Sequence, residues 1–285
     1  MEHVIKKPYG EETTVIAGDS VKYIQSRRLN GIPWVLNAFS TRKGGVSENQ
    51  FSSMNLNFAR GDDPDNVSEN FRRFAAAIGT DVDSMVYSMQ THTTNVVRVG
   101  RADRGNGVTR PQRFRDVDGL VTNEPGVCLV TTYADCIPLY FVDVANRAIG
   151  LSHSGWRGTV GRISDRTLEL MGREFGTKPQ DVVCFVGPGI CRECYEVGQD
   201  VADAFIASYT KGQLGGVLFD GVQEGKYQLD LWRANVVNLL EAGVPEDNIQ
   251  VTDICTCCNA DFLFSHRASK GSRGGLCGFL EIRDL

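Results

Sequence analysis

Apolar and polar positions follow two periods along this chain, and the changes of period mark its elements. Between Pro64 and Ile78 the residues Val67, Phe71, Phe74, Ala75 and Ile78 recur every three or four positions, the spacing of one helical face. Pro64 suits a first turn and Gly79 suits a helix stop. The same period predicts helices over 159–175 (Val160, Ile163, Thr167, Leu168 and Met171 inward), 197–209 and 231–242. Elsewhere the apolar residues come in short runs with many β-branched side chains: 34–39, 85–89, 96–99, 126–132, 139–143, 148–152, 182–186 and 249–254. Runs of that length read as strands. Strands outnumber helices and come in groups, which predicts an α/β (α+β) fold of layered mixed β-sheets flanked by helices, not a regular parallel sheet. No repeat or linker interrupts the pattern, so residues 1–30 read as a peripheral segment and 31–285 as a single domain.

Composition narrows the function. The net charge is −5, from 30 basic and 35 acidic residues in 285, and no half is strongly basic, so no nucleic-acid partner is expected. No apolar run reaches the ~20 residues of a membrane helix, so no membrane is expected either. The first residues lack the apolar stretch of a secretory leader. Nine cysteines, an odd number, are scattered along the chain; together these features predict reduced thiols in a cytoplasmic protein.

The candidate chemistry lies at strand ends. Of four histidines, His3 is in the tail, while His92 and His153 follow predicted strands, as does Cys136. Loops fed by strand ends are where α/β proteins build sites. Two imidazoles and a thiolate suffice for a catalytic zinc with an open fourth position. On spacing alone other readings stay open: hydrogen-bonded structural histidines, and Cys136 as a small buried apolar residue. Ser154-Gly155-Trp156-Arg157-Gly158 joins a strand to a helix. Its free N–H groups and Arg157 suit a phosphate or carboxylate, and Arg42, beside Gly44 and Gly45, invites the same reading. Cys191, Cys194, Cys255, Cys257 and Cys258 read better as free thiols than as a four-thiolate zinc site, because adjacent Cys257 and Cys258 compete for one metal.

Several segments in fixed order resemble one family: Ser40-Thr41-Arg42-x-Gly44-Gly45, Met54-Asn55-Leu56, Gln90-x-His92, Asp118-Gly119-Leu120-Val121-Thr122, Ala134-Asp135-Cys136-x-Pro138, His153-x-Gly155-Trp156-Arg157-Gly158, Gly187-Pro188-x-Ile190, Tyr195-Glu196-Val197 and Cys255-Thr256. They resemble the YfiH-like, laccase-domain (polyphenol oxidase-like) family, also described as purine nucleoside phosphorylases, from about Trp34 to the C-terminus. The resemblance implies a YfiH-like catalytic domain with a fold shared with a bacterial deamidase toxin (the CNF toxin). It implies Zn2+ on His92, Cys136 and His153. It implies phosphorolysis of adenosine, inosine and methylthioadenosine to free base and ribose 1-phosphate, with adenosine deamination as a second activity. The partners implied are then a purine nucleoside and phosphate, bound by a monomer or homodimer. Asn55, Gln90, Tyr195, Glu196 and Arg267 are substrate contacts by motif match, beside Arg42 and Arg157. The usual Phe-Phe-Ser-Tyr-Arg-Arg of relatives is Phe264-Ser265-His266-Arg267 here, and their Thr-Gly-Arg is Arg273-Gly274-Gly275. Arg273 is therefore an alternative late contact, and His266 stands at the usual Tyr.

Three competing readings remain. Copper-dependent phenol oxidation is attributed to relatives, but a multicopper centre needs many imidazoles, and three outside the tail allow at most a single copper. Cys136 with His153 or His92 as base would make a metal-free amide hydrolase; peptidoglycan-precursor editing is also attributed to some relatives. A closed, structural zinc module is the non-enzymatic reading.

Overall fold

The computed structural model of the chain describes residues 3–6 and 12–284. Its strands in chain order are β1 (Thr14–Ala17), β2 (Tyr23–Ser26), β3 (Val35–Ser40), β4 (Met85–Tyr87), β5 (Val96–Arg98), β6 (Gly119–Thr122), β7 (Cys128–Tyr133), β8 (Ile137–Asp143), β9 (Ala148–Ser154), β10 (Val182–Val186), β11 (Glu196–Gly198), β12 (Leu218–Asp220), β13 (Lys226–Leu229), β14 (Ile249–Val251) and β15 (Leu276–Ile282). The helices are α1 (Pro64–Ile78), α2 (Trp156–Val160), α3 (Ile163–Phe175), α4 (Gln199–Ser208), α5 (Lys211–Leu214), α6 (Leu231–Glu241) and α7 (His266–Ser269).

Two six-stranded mixed sheets form the centre. One runs β1-β2-β3-β15-β7-β4 and the other β14-β10-β8-β9-β6-β5. A small sheet, β11-β13-β12, stands apart. The core has matching layers. Val86, Leu129, Leu280, Ile282 of the first sheet and Leu120, Tyr140, Val142, Leu151 of the second share one apolar cluster. Val67, Phe71 and Phe74 of α1 pack with Val130 and Phe279 on the first sheet's other face. Met171 of α3 and Val236 of α6 pack with Phe141 and Cys184 of the second sheet. The order is therefore helix, sheet, sheet, helices, which is the layered mixed fold the pattern predicts. Successive residues of β7, Cys128, Leu129 and Val130, fall alternately into the outer and inner clusters, as a period of two requires.

Where boundaries moved, the cause is local. The expected helix over 159–175 is two helices. The chain breaks at Gly161, and Arg162 adopts a left-handed φ of 60°. The helix expected from 197 starts at Gln199, because Glu196–Gly198 pairs with β13. Pro138 lies inside β8. Within residues 1–30, β1 and β2 form the outer edge of the first sheet. Among the described residues no helix is long and apolar enough to cross a membrane.

Two connections fix where a site can form. β4 and β7 belong to the first sheet, β5 and β8 to the second. The loop from β4 to β5 and the turn from β7 to β8 therefore both step across the seam between the sheets.

Candidate functional site

Each of those crossings delivers one side chain to the rim. His92 lies in the first and Cys136 in the second, while His153 projects from the end of β9, opposite Pro138 of β8. The backbone is bent to do this. His92 has φ 67° and Asp135 has φ 86°, left-handed values that few non-glycine residues adopt. The donor atoms of His92, Cys136 and His153 all lie within 4.8 Å of one another. The Cys136 Sγ is 3.9 Å from His92 Nε2, and the two imidazole rings are 4.9 Å apart.

One buried carboxylate organises the group. Asp118 Oδ1 is 2.8 Å from His153 Nδ1 and accepts the His92 N–H at 3.0 Å. Its Oδ2 accepts the Thr91 and Thr93 N–H groups at 3.1 and 3.0 Å and the Thr93 hydroxyl at 2.9 Å. Holding His153 through Nδ1 leaves Nε2 for a metal or a reacting atom, the usual arrangement for ligating histidines. Asp118 was visible in the sequence only as part of a motif, and its role depends on contacts 25 to 35 positions away.

The charges are coupled. Burial raises the Cys136 thiol, but the His153 and His92 rings outweigh it and bring it down to about 6. Burial lowers His153, yet Cys136 and Asp118 hold it up at about 9. Burial raises Asp118 too, but His153 and the N–H groups of Thr93 and Thr91 bring it below its ordinary value. An opposite charge close by favours the ionised form of each.

The donor set fits a zinc ion. Thiolate sulfur and imidazole nitrogen are its preferred ligands, and three of them leave a fourth position open. Gly155 keeps the space clear, because a Cβ there would lie 2.9 Å from His92 Cδ2 and 3.0 Å from Cys136 Sγ. The four histidines of the chain do not supply the imidazoles of a multicopper centre.

The three donors open into a cleft of about 510 Å³. Gln90, Arg157, Tyr195 and Arg267, four of the residues the sequence offered as substrate contacts, line it together with Arg60, His266 and Arg273. Arg267 is held by the Glu196 carbonyl at 2.8 Å and lies over the Tyr195 ring. Burial and the neighbouring Arg60 bring Arg273 down to about 10, and its buried Nε has no partner. The Gln90 Nε2 donates to the Thr132 carbonyl at 2.9 Å, while its buried Oε1 is unpartnered.

Three expected contacts stand elsewhere. The Arg42 guanidinium donates to the Ser52 and Ala260 carbonyls at 2.8 and 3.0 Å and covers the Phe264 ring. It fastens loops and does not reach the cleft. Asn55 is fully buried, accepting the Gly275 N–H at 2.8 Å and donating to Asp62 at 2.9 Å. Glu196 contributes its carbonyl to Arg267, not a cleft-lining side chain. The sequence reading missed Arg60 and gave Asp118 and Asp135 no role beyond their place in motifs. Asp135 accepts the Thr256 hydroxyl and the Arg267 N–H, both at 2.7 Å, and so ties α7 to the cleft floor.

Known proteins agree with this architecture. Residues 36–283 match the family model described as multi-copper polyphenol oxidoreductase laccase. The purine nucleoside phosphorylase YlmD of Geobacillus stearothermophilus is 36% identical over 249 residues, 86% of this chain and 89% of that protein. Adenosine deaminase RL5, from an unknown prokaryotic organism, is 35% identical over 232 residues, 81% of this chain and 87% of that protein. The crystal structure of the Bacillus licheniformis hypothetical protein YfiH superposes with a TM-score of 0.88 at 30% identity, covering 94% of this chain and 99% of that one.

Proposed function

The chain belongs to the multi-copper polyphenol oxidoreductase laccase family, and on that footing we propose that it is a zinc-dependent purine nucleoside phosphorylase with an accompanying adenosine deaminase activity. The observation that carries this reading is the pairing, in one cleft, of the His92, Cys136 and His153 donors with the guanidiniums of Arg60, Arg157, Arg267 and Arg273. Phosphorolysis needs an anion pocket beside the sugar, because inorganic phosphate is the second substrate. Guanidiniums bind phosphate oxygens bidentately. Arg273, buried beside a second cation and with a free N–H, is the group most favoured by an incoming anion. Tyr195 and Trp156 offer aromatic surface to a purine. The unpartnered Gln90 Oε1 can accept from a base N–H.

In the reaction the C1′–N9 bond breaks, a phosphate oxygen bonds to C1′, and the departing base takes a proton. A zinc ion on the three donors would supply Lewis acidity and one open coordination position. Asp118 keeps His153 in one tautomer and holds the His92 loop in place. The relatives named purine nucleoside phosphorylase and adenosine deaminase support both activities. The test is phosphate-dependent release of adenine from adenosine by zinc-loaded protein, with ribose 1-phosphate as co-product. Full zinc content without base release would sink the proposal.

One observation favours a second reading. Cys136, His153 and Asp118 stand in the order of a thiol, its base and an orienting carboxylate. A cysteine-dependent amide hydrolase would then act without metal. If zinc protects Cys136 from alkylation and activity follows zinc, this reading fails.

A further inference from the structure

A second group of metal-type donors lies outside the cleft's donor triad. Cys191 and Cys194 flank a short turn after β10, and Cys255 and Cys258 lie in the loop after β14. Both pairs have the Cys-x-x-Cys spacing. In the folded chain their four sulfurs lie within 4.8 Å of one another. Cys257, which made the cluster look crowded in the sequence, is not one of the four. The Cys258 sulfur is 3.8 Å from that of Cys191 and 3.5 Å from that of Cys194. A tetrahedral zinc with bonds of ~2.3 Å to sulfur has a sulfur–sulfur edge of ~3.8 Å. A disulfide would need ~2.05 Å.

An independent observation concerns the backbone. The N–H groups of Cys191 and Cys258 point at the Cys255 sulfur, at 3.2 and 3.4 Å. Backbone donors aimed at a sulfur are placed to hydrogen-bond a metal-bound ligand from outside the coordination sphere, as supporting groups of metal sites do. The cationic Lys6 lies in the field of Cys191, Cys194 and Cys258 and pairs with Glu193 at 3.6 Å. It is suitably placed beside a centre that would carry net negative charge.

We propose that Cys191, Cys194, Cys255 and Cys258 bind one zinc ion in a closed tetrathiolate site. Binding releases the thiol protons and forms four zinc–sulfur bonds, with no redox change. Four protein ligands leave no position for substrate, so the role is structural. The ion staples two loops that shape the cleft. Tyr195 follows Cys194 directly, and Thr256, beside Cys255, donates to Asp135 at 2.7 Å. The Thr256 N–H also donates to the Gly189 carbonyl at 3.0 Å.

Elemental analysis of the full chain tests this. In the Cys136→Ala/His153→Ala protein, where the cleft triad is disabled, one zinc per chain is expected. Adding Cys258→Ser should remove that zinc, and adding Cys257→Ser should leave it. If the Cys258→Ser protein does not fold, wild-type protein gives the answer through cobalt reconstitution and mercurial titration. A tetrahedral cobalt centre with intense sulfur-to-cobalt charge transfer, released in step with four thiols, supports the site. No ion in the Cys136→Ala/His153→Ala protein, iron in place of zinc, a disulfide among these cysteines, or zinc lost equally on Cys257→Ser would overturn it.

Discussion

Asp118 controls where two of the three triad donors stand, although it touches neither the sulfur nor the cleft. It accepts from consecutive N–H groups of the His92 loop and from His153. Asp118→Asn should therefore weaken metal binding at the triad by about 10- to 100-fold, the usual effect of losing such a supporting carboxylate, while the protein still folds. Competition with a metallochromic chelator measures this; unchanged affinity would leave Asp118 a merely structural residue. Cys136 makes a second prediction. In metal-free protein its thiolate should form as pH rises through about 6, so alkylation should already be fast at neutral pH. His153→Ala removes the main attraction and should move the midpoint up towards the ordinary thiol range near 9. At this scale the strand-end positions of His92, Cys136 and His153 were legible in the pattern, but spacing alone left structural readings open, and only the motif resemblance singled the three out as one group. Arg42 was not, since its acceptors at Ser52 and Ala260 are brought to it only by the tertiary fold.

Among elements, the junction of β9 and α2 presses a glycine directly against two of the donors. Gly155 stands between the strand that holds His153 and the helix that starts at Trp156. Its φ of −75° is open to any residue, so a side chain is excluded by the donors and not by the backbone. Gly155→Ala should cost little global stability yet displace His92 and Cys136 and lower metal affinity by about tenfold or more, as losses of ligand positioning do. Denaturant midpoints and metal content, read together, separate the two effects. The helical period of α1 was plain because one of its faces meets solvent. β15 escaped the sequence reading for the opposite reason. It is buried on both faces, and Gly278 and Glu281 break its apolar run, so no alternation marks it although it lies between β3 and β7. The break between α2 and α3 was hidden too, because the apolar period continues through Gly161 and Arg162.

Across the whole molecule, the cleft's cations come from distant parts of the chain. Arg60 precedes α1, Arg157 lies in α2, Arg267 lies in α7 and Arg273 precedes β15. Only the stacked sheets bring them together, which is why periodicity could not show this group of cations. Arg42 offers the natural control. Arg273→Ala should raise the KM for phosphate about tenfold or more with little change in stability. Arg42→Ala should leave that KM alone and cost about 1–3 kcal/mol of stability, because two carbonyls lose a charged donor. Steady-state kinetics and urea unfolding on both variants distinguish them; the opposite result would return Arg42 to the site. The seam between the two sheets has one more consequence. His92 and Cys136 each ride on a span of chain that leaves one sheet and enters the other. Any slide of one sheet over the other therefore changes the gaps between the donors, and an ion held among them resists that slide like a rivet at one end of two stacked plates. Core substitutions far from the cleft that alter sheet spacing would then tune metal affinity, and metal occupancy would in turn slow hydrogen exchange at this rim more than at the opposite one.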